Sequence, residues 1–342
     1  MIRRWRRVLL VIVVPIVVAA ALVEVAVAVY FRHPLRVPRL QAVARSIYGT
    51  VARNVIQFDP AFARHDAELL YTLRPGRFTF SQYEFTTRYD VNSLGVRDDE
   101  ASLAAPEIVV VGDSVAMGWG VEQDETFPQL IERRTGRRVL NASVSSYGTV
   151  RELRLLDRID RSRLRWLIVQ YNVNDVGENR VFAAQGNRHP GGNRVKYERT
   201  LARYQARRGY YPGRYTWAAV SLLAHDVRQW IAPPPSRGPA PTADEEADWF
   251  VNALMHAGPV DFGRVRVVVF ELSGDGVVCP LIPTLQKRRA AGTLPPVLRD
   301  LVILDVASTL GPDHFYVLDD HPNARAHRVA ADMVLAAMGA SP

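Results

Sequence analysis

The chain has 342 residues, with 43 Lys and Arg against 35 Asp and Glu, which gives a formal net charge of +8. This length is enough for one large domain and an appendage. The single cysteine, Cys279, excludes an intramolecular disulfide and a cysteine-rich metal site, and we interpret it as a small buried apolar residue. The cysteine count leaves the cellular compartment open, because an exported domain with a good core needs no disulfide.

The N-terminus combines a basic start with a long apolar run. Residues 1–7 hold four arginines, and residues 8–31 are apolar except for Glu24. Such a run can cross a bilayer, so we predict a transmembrane anchor over 8–31, with a cytoplasmic start and an extracytoplasmic body. The alternative is a signal peptide cleaved near Ala26–Ala28, which would give a secreted protein. We expect Glu24 to lie near the outer interface, because a carboxylate is costly in lipid.

A mixed lead-in segment follows over residues 32–106. A weak helical period over 41–55 predicts a helix. The stretch 58–89 is rich in aromatic residues and threonine and has a turn at Pro75-Gly76, so it predicts short antiparallel strands. The acidic run 98–100 is expected to be a solvated loop.

Strands and helices alternate from residue 107 to residue 340. The run Ile108–Val111 has no polar alternation, which is typical of a parallel strand buried on both faces. The pattern predicts further strands at 138–141, 165–171, 265–272 and 301–306, and helices at 126–136, 150–159 and 324–338. It therefore predicts an α/β domain with a parallel sheet and helices on both faces.

An insertion over residues 176–245 interrupts the alternation. Within it, 177–240 contains eleven Lys and Arg but only three acidic residues, with tyrosines interleaved. Because the insertion follows a strand end, we expect it to lie over the site as a cap. It comprises a helix over 216–231, a proline-rich hinge over 232–241 and a helix capped by Thr242.

The basic insertion has three interpretations. Arginine pairs with carboxylate and phosphate, and aromatic rings stack on sugars, so the insertion could bind an anionic or sugar-rich substrate. It could instead face anionic lipid, or reflect arginine-rich codon usage alone. No nucleic-acid-binding motif is present in the sequence, so we expect no nucleic-acid partner.

Reactive side chains follow the predicted strand ends. Ser114 comes directly after the first strand, where open α/β sheets bind their ligands. Its hydroxyl can act as a nucleophile if a base reaches it, or it can cap the next helix. His321 supplies an imidazole, and Asp319 two residues earlier can orient that ring, as in a Ser–His–Asp triad.

Histidines and aspartates near His321 also raise the possibility of a metal site. Their spacing matches no standard zinc pattern, so we expect no metal and no cofactor. The residues considered are Asp313, His314, Asp320 and His327.

Four short motifs resemble those of the SGNH/GDSL hydrolases and occur in the same order. They are Gly112-Asp113-Ser114, Asn141-Ala-Ser-Val-Ser, Asn174-Asp175 and Asp319-Asp-His321. Residues 92–97 and 125–128 are similar to bacterial members with a membrane-anchored N-terminus. The likeness covers approximately residues 90–175 and 264–338.

The resemblance implies a three-layer α/β/α flavodoxin-like fold and ester hydrolysis or acyl transfer. It implies that Ser114 attacks the carbonyl, that His321 takes and returns the proton, and that Asp319 orients His321. The family's aspartate often lies three residues before the histidine, where this chain has Leu318. Asp319 is therefore our assignment, and Asp320 is the alternative.

The resemblance also implies an oxyanion hole. Its donors would be the backbone N–H of Ser114, a backbone N–H after the second strand, and the side-chain amide of Asn174. Ser146 stands at the family's second-motif glycine and is our choice for the second donor, with Gly148 as the alternative. The third motif usually begins with glycine, and here it begins with Asn172. These departures predict a narrowed or specialised site.

We expect a serine esterase or deacylase that acts on an O-acyl ester of a small molecule or a cell-surface glycan. An O-acyltransferase with the same triad is one alternative, because a cap that excludes water would favour transfer. A non-catalytic glycan-binding or assembly protein that kept the fold is the other.

Overall fold

The computed structural model describes residues 2–232 and 240–339, with side chains described from residue 10 onward. Most of the predicted hinge at 232–241, the arginine side chains of 1–7 and the predicted domain end at residue 340 lie outside the described residues.

The bounds of the elements follow the predicted alternation. The described α-helices are α1 (Ile2–Arg32), α2 (Pro38–Ile47), α3 (Ser114–Met117), α4 (Phe127–Thr135), α5 (Thr149–Arg154), α6 (Asp175–Ala184), α7 (Arg194–Ala206), α8 (Arg214–Ile231), α9 (Ala243–His256), α10 (Leu281–Ala290) and α11 (Ala324–Ala337). The described strands are β1 (Ala63–Asp66), β2 (Leu70–Leu73), β3 (Gly76–Ser81), β4 (Thr86–Val91), β5 (Ile108–Val111), β6 (Val139–Asn141), β7 (Trp166–Tyr171), β8 (Arg266–Glu271) and β9 (Val302–Leu304).

Strands β5 to β9 form a five-stranded parallel sheet in the order β6-β5-β7-β8-β9. This is the flavodoxin-like order, in which the chain reverses direction across the sheet between β5 and β7. Val109 and Val111 of β5 face one core, and Ile108 and Val110 face the other. The apolar run lacks alternation because both faces of the strand are buried.

Helices cover both faces of the sheet. On one face, Leu153 of α5, Phe250 of α9 and Leu285 of α10 pack in the larger core. On the other face, Phe127 of α4 and Ala330 of α11 pack against the sheet. The predicted three-layer α/β/α fold is therefore confirmed.

The lead-in segment folds against the site end of the sheet. After α2, residues Tyr48–Ala52 form a π-helical turn, a feature often found at functional sites. The predicted antiparallel strands are confirmed as two hairpins, β1–β2 and β3–β4. Phe80 of β3 packs with Trp119, which lies just after α3, so the hairpins support the loop that carries Ser114.

The acidic run at 98–100 is not uniformly solvated. Glu100 is exposed, but Asp98 is buried and accepts hydrogen bonds from the backbone N–H of Asn141 at 2.8 Å and from Gln129 at 2.9 Å. Burial raises the pKa of Asp98 to about 7, against the opposing effect of the backbone N–H groups of Asn141 and Asp99. The expectation of a solvated loop is wrong for Asp98, because this carboxylate joins the lead-in to the end of β6.

Helix α1 is long and apolar enough to be a membrane span or a signal sequence. Its candidate span is Leu10–Arg32, with a mean hydropathy of 2.9. The C-terminal part of α1 packs against the body, where Phe31 is buried beside Tyr48 and Tyr215. Glu24 accepts a hydrogen bond from the backbone N–H of Thr216 at 2.7 Å, so the one acidic residue of the apolar run is paired with the start of α8.

Candidate active site

Ser114 lies at the turn between β5 and α3. The turn requires glycine at position 112, because a Cβ there would lie 2.7 Å from both Ala116 Cβ and Gln170 Oε1. Asp113 then caps α3 by accepting the backbone N–H of Val115 at 2.9 Å. Ser114 is therefore the first residue of α3, at the point where the sheet order reverses.

The structure brings Ser114, His321 and Asp319 together. Ser114 Oγ lies 2.9 Å from His321 Nε2, across 207 residues of sequence. His321 Nδ1 lies 2.7 Å from Asp319 Oδ1. The ring of Trp119 stacks on the imidazole, with centroids 5.1 Å apart and planes at 21°. His321 is thus within hydrogen-bonding distance of both Ser114 and Asp319, which is the arrangement that the predicted triad requires.

The Asp319 carboxylate is fully buried and well partnered. Oδ2 accepts from the Tyr48 hydroxyl at 2.6 Å, and Oδ1 accepts from Arg53 Nη2 at 3.1 Å. Burial alone would raise the pKa of Asp319, but Arg53 and His321 lower it to about 2. Burial also raises the pKa of Tyr48, which keeps its hydroxyl protonated as a donor. Asp319 is therefore an anion at neutral pH.

Arg53 also lies close to the imidazole. Its Nη2 atom is 2.6 Å from His321 Nδ1, the same nitrogen that faces Asp319. Since Nδ1 either carries a proton or accepts one, it cannot donate to Asp319 and accept from Arg53 at once. The ionised carboxylate favours a proton on Nδ1, which leaves Nε2 free to accept the proton of Ser114.

The loop that carries Asp319 is held by Glu84 from the lead-in segment. The Glu84 carboxylate accepts three successive backbone N–H groups, from Val317 at 2.6 Å, Leu318 at 2.7 Å and Asp319 at 2.8 Å. Hydrogen bonds to a charged acceptor are roughly twice as strong as neutral ones. Glu84 thus fixes the backbone from which the triad carboxylate projects.

Asp320, the alternative carboxylate, lies on the same side of the ring. Its φ is 62°, a left-handed conformation that brings Oδ1 to 3.7 Å from His321 Nδ1 and 3.5 Å from Arg53 Nη2. Asp319 is closer to the imidazole by 1.0 Å and is fully buried, whereas Asp320 is part-exposed. The geometry favours Asp319 as the orienting group.

The possible metal ligands are used in other ways. Among the described residues, Asp319, Asp320 and His321 are close enough together to hold an ion, but the Arg53 guanidinium lies against all three. His327 is buried, accepts the backbone N–H of Phe127 at 3.1 Å and has a pKa lowered to about 3 by burial. A cation beside the three ligands opposes metal binding there.

The predicted oxyanion-hole residues line one cavity with the triad. This cavity has a volume of about 470 Å³ and includes Ser114, Ser146, Asn174 and His321 in its lining. Among the described residues, the backbone N–H groups of Ser114 and Ser146 have no hydrogen-bond acceptor. Both N–H groups are therefore available to a bound oxyanion.

The side chains of two residues of the predicted oxyanion hole, Ser146 and Asn174, already make hydrogen bonds within the protein. Ser146 has φ 59°, which explains why a glycine is usual there, and its hydroxyl accepts from Gln57 Nε2 at 2.9 Å. Asn174 Nδ2 donates to Asp113 Oδ2 at 2.9 Å, which leaves one amide N–H for a ligand. Gly148, the alternative donor, does not line the cavity and instead precedes α5.

One wall of the triad cavity comes from the lead-in segment and consists of Gly49, Arg53, Val55 and Gln57. No described residue of the 176–245 insertion lines this cavity. The insertion packs behind this wall, where the Tyr204 hydroxyl of α7 accepts the backbone N–H of Val55 at 2.6 Å. The insertion therefore approaches the site through the lead-in segment.

Sequence reasoning missed the residues that hold the imidazole and its carboxylate. Tyr48, Arg53 and Glu84 lie in the lead-in segment, before the first motif and outside the family likeness. No local pattern marks them, because each acts through a contact more than 230 residues away in sequence. Trp119 lies within the Gly118-Trp-Gly120 turn, whose glycines were the only signal at that position.

No protein-family model matches the chain, and no curated protein matches it. Solved structures that are similar in part include a carbohydrate esterase family 2 enzyme with a carbohydrate-binding domain from Corynascus thermopiles (Myceliophthora fergusii), at 14% identity and a TM-score of 0.37, over 68% of this chain and 66% of that one. The match thus spans just under two thirds of that esterase.

Two further matches cover nearly all of the other protein. An acetyl xylan esterase from Geobacillus stearothermophilus matches at 13% identity and a TM-score of 0.35, over 69% of this chain and 96% of that one. A phospholipase A1 from Streptomyces albidoflavus matches at 15% identity and a TM-score of 0.35, over 68% of this chain and 99% of that one. TM-scores below 0.5 do not establish a common function.

Proposed function

We propose that the chain is a serine esterase or deacylase that hydrolyses an O-acyl ester. The observation that supports this most directly is the continuous path from Ser114 Oγ to His321 Nε2 at 2.9 Å and from His321 Nδ1 to Asp319 Oδ1 at 2.7 Å. A nucleophile is activated by this order of groups: a buried, ionised carboxylate, an imidazole, and a hydroxyl that lines a cavity.

The reaction proceeds in two halves. Ser114 Oγ attacks the ester carbonyl carbon while its proton moves to His321 Nε2, and the carbonyl oxygen becomes an oxyanion. The C–O bond then breaks as His321 returns the proton to the leaving alcohol, which leaves an acyl group on Ser114. Water repeats the sequence and releases the acid.

The oxyanion is stabilised by donors that are already in place. The backbone N–H groups of Ser114 and Ser146 and one amide N–H of Asn174 belong to the same cavity as the hydroxyl. One such donor is worth about 2.7–4 kcal/mol in a transition state. Asp113 holds the Asn174 amide, so the carboxylate beside the nucleophile acts as a positioning group.

We further propose that α1 anchors the protein in a membrane and that the catalytic domain is extracytoplasmic. The basic start and the apolar span support this orientation. The contacts of Glu24 and Ala20 with Thr216 support retention of α1 after export, because cleavage near Ala26–Ala28 would remove both residues from this partner. An ester on a small molecule or on a cell-surface glycan is the substrate expected in that compartment.

Hydrolysis of p-nitrophenyl acetate by the full chain in detergent tests the proposal. The wild type should turn over, and Ser114→Ala should lower kcat at least about 10³-fold, since the attacking atom is gone. Ser308→Ala, at an exposed position away from the site, is the matched control and should match the wild type. Equal activity in Ser114→Ala and the wild type would exclude this nucleophile.

Two other functions are separated by the same assay. When acceptor glycans are supplied, an O-acyltransferase would form an acylated sugar and release little free acid. Glycan binding without turnover of any ester would indicate a non-catalytic protein on this fold.

A further inference from the structure

A second cavity lies beside the triad cavity and is lined by arginine. It has a volume of about 530 Å³ and shares Gly49, Arg53 and Val55 with the first cavity as a common wall. Its far side is formed by one face of α7 and the chain that follows. We call it the arginine cleft, after its five arginines Arg53, Arg203, Arg207, Arg208 and Arg214.

The charge of the arginine cleft is only partly balanced. Arg53 pairs with Asp319 and Asp320, and Arg208 pairs with Asp59. Among the described residues, no carboxylate lies within ion-pair distance of the other three arginines, and none of the lining residues is acidic. The described lining of the cleft therefore carries an excess of positive charge.

Arg214 gives an independent sign of a ligand. It is 9% exposed, and its Nε atom is buried without a hydrogen-bond partner among the described residues. A buried donor that makes no hydrogen bond is costly, more so when it is charged. Exposed arginines need no partner, but Arg214 faces a cavity large enough for one.

We propose that the arginine cleft binds a phosphate or carboxylate group on the alcohol part of the substrate. Guanidinium groups bind both oxyanions with two parallel hydrogen bonds, and residues 203 and 207 lie one helical turn apart on the same face. The cleft adjoins the triad cavity at Gly49, Arg53 and Val55, and in this proposal one molecule presents its acyl ester to Ser114 and its anionic group to the arginines. This inference names a substrate class for the proposed esterase and rests on that function.

Binding to catalytically silent protein tests the cleft without turnover. Ser114→Ala full chain in detergent is titrated with glycerol 3-phosphate, a lipid-headgroup fragment, and with D-glucuronate, a glycan fragment, in a calorimeter. Glycerol and D-glucose are the neutral controls. We expect at least one anion to bind, and Arg203→Gln/Arg207→Gln in this background to raise its Kd at least tenfold. Arg199→Gln, an exposed arginine of α7 outside the cleft, is the matched control and should leave Kd unchanged.

The two anions identify the source, and the kinetics separate the two proposals. Preference for glycerol 3-phosphate indicates a lipid-linked substrate, and preference for glucuronate indicates an acidic glycan. Anion binding without any esterase activity would sustain the cleft and contradict the proposed function. If the wild type turns over p-nitrophenyl acetate but no anion binds, or if Kd is equal in all variants, the proposed role of the cleft is wrong and the esterase proposal stands.

A different surface carries a second inference. One face of α8 packs on α2 and the π-helical turn through Tyr215, Ala218 and Leu222. The opposite face exposes large apolar side chains that form one stripe at helical spacing. They are Trp217 (65% exposed), Val220 (52%), Leu223 (65%), Val227 (46%), Trp230 (84%) and Ile231 (69%).

The apolar stripe starts beside the candidate membrane span. Thr216 donates its backbone N–H to Glu24 at 2.7 Å and its hydroxyl to the Ala20 carbonyl at 3.0 Å. Glu24 lies eight residues before Arg32, which is about 12 Å along a helix and within the outer half of a bilayer about 30 Å thick. When α1 spans the membrane, the start of α8 thus lies at the depth of the outer leaflet.

We infer that the apolar stripe of α8 lies in the outer leaflet of the membrane that α1 crosses. The stripe begins next to Thr216, which contacts α1 at Ala20 and Glu24, and tryptophan favours the membrane interface. The bond from Thr216 gives Glu24 a backbone partner and places it at the positive end of α8, which lowers the cost of its carboxylate in lipid.

Quenching of tryptophan fluorescence by brominated lipid tests this placement. The full chain is reconstituted into nanodiscs with and without lipids brominated on the acyl chains. We expect Trp217→Phe/Trp230→Phe to lower the quenched intensity at least twofold. Trp249→Phe, on the part-buried side of α9, is the control and should leave it unchanged. Unchanged quenching in the double variant would overturn the inference, and a detergent-solubilised dimer that the same variant dissociates would assign the stripe to a second copy.

Discussion

The two walls of the candidate site are held by different kinds of contact. On the sheet side, Ser114 and Asn174 follow β5 and β7, and ladder hydrogen bonds between the strands fix their positions. On the lead-in side, Arg53 and Glu84 reach the triad through single side-chain contacts from a segment that precedes the sheet. The sheet side thus positions Ser114, and the lead-in side positions His321 and Asp319.

In the proposed esterase, catalysis would therefore depend on a segment that precedes the five-stranded sheet. Without the lead-in segment, the Asp319 loop would lose Glu84, Tyr48 and Arg53 together. Variants of the lead-in contacts should therefore lower activity, whereas variants of buried sheet-side residues that do not line the triad cavity, such as Glu152, should alter stability.

The largest effect is expected at the carboxylate of the triad. Asp319→Asn should lower kcat on p-nitrophenyl acetate by about 10³–10⁴-fold, because an amide no longer stabilises the imidazolium or its correct tautomer. Asp320→Asn is the matched variant one residue away and should lower kcat less than about tenfold. The opposite ranking would make Asp320 the orienting group.

A smaller loss is expected when the loop that carries Asp319 is released. Glu84→Gln replaces a charged acceptor of three backbone N–H groups with an amide that accepts fewer. Loss of one hydrogen bond to a charged group costs about 1.5–3 kcal/mol, so kcat should fall roughly tenfold to a hundredfold. Glu125→Gln, a part-exposed glutamate, is the control for kinetics and Tm. A kcat in Glu84→Gln equal to that of the wild type would mean that the loop carrying Asp319 keeps its position without Glu84.

The pH profile separates the effect of Arg53 from packing. Arg53 lowers the pKa of Asp319, so the carboxylate of the folded protein stays ionised down to about pH 2. In Arg53→Met that pKa rises, since burial then acts with less opposition. kcat/KM should therefore fall about threefold more at pH 5 than at pH 8, relative to the wild type. Arg77→Met, which is far more exposed, is the control. A uniform loss at all pH values would mean that Arg53 acts by packing alone.

The smallest effect is expected at buried Glu152, which does not line the triad cavity, and it concerns stability alone. Glu152 and Asp175 are buried neighbours, and both carboxylate oxygens of Glu152 lack a partner among the described residues. Burial, followed by the charge of Asp175, raises the pKa of Glu152 well above its usual value. The folded state therefore holds this proton more tightly than the unfolded chain, so stability is lost as pH rises above about 4.3.

Glu152→Gln should remove part of that loss. Urea unfolding at pH 8 should give a free energy of unfolding about 1 kcal/mol higher than that of the wild type, with a smaller difference at pH 5. Glu198→Gln, an exposed glutamate of α7, should show no such pH-dependent gain. A variant that is less stable at pH 8 would mean that the ionised carboxylate has a partner.

The sheet side was predictable from sequence because its signals are local. The run Ile108–Val111 marks a strand buried on both faces, and Gly112 marks the turn that exposes Ser114. Parallel strands end at the same edge, so the residues that follow them converge whatever the loops do. His321 and Asp319 were found through their motif and their position before the last helix.

The lead-in side was not predictable because its contacts are long-range and its residues are ordinary. Arg53 is one of many arginines, and nothing near it in sequence indicates that it lies against an imidazole 268 residues later. Asp98 shows the same limit, since an acidic run predicts exposure and burial depends on the distant backbone of Asn141. The cap was expected from the insertion, whereas the cavity wall is formed by residues 49–57.

Labelling with a fluorophosphonate, followed by peptide mapping, tests most directly whether His321 activates Ser114. The wild-type full chain should be labelled at Ser114 and at no other serine, and His321→Ala should slow labelling at least about 10³-fold. Labelling of the wild type at another residue, or an equal rate at Ser114 in His321→Ala, would contradict the triad and with it the proposed esterase.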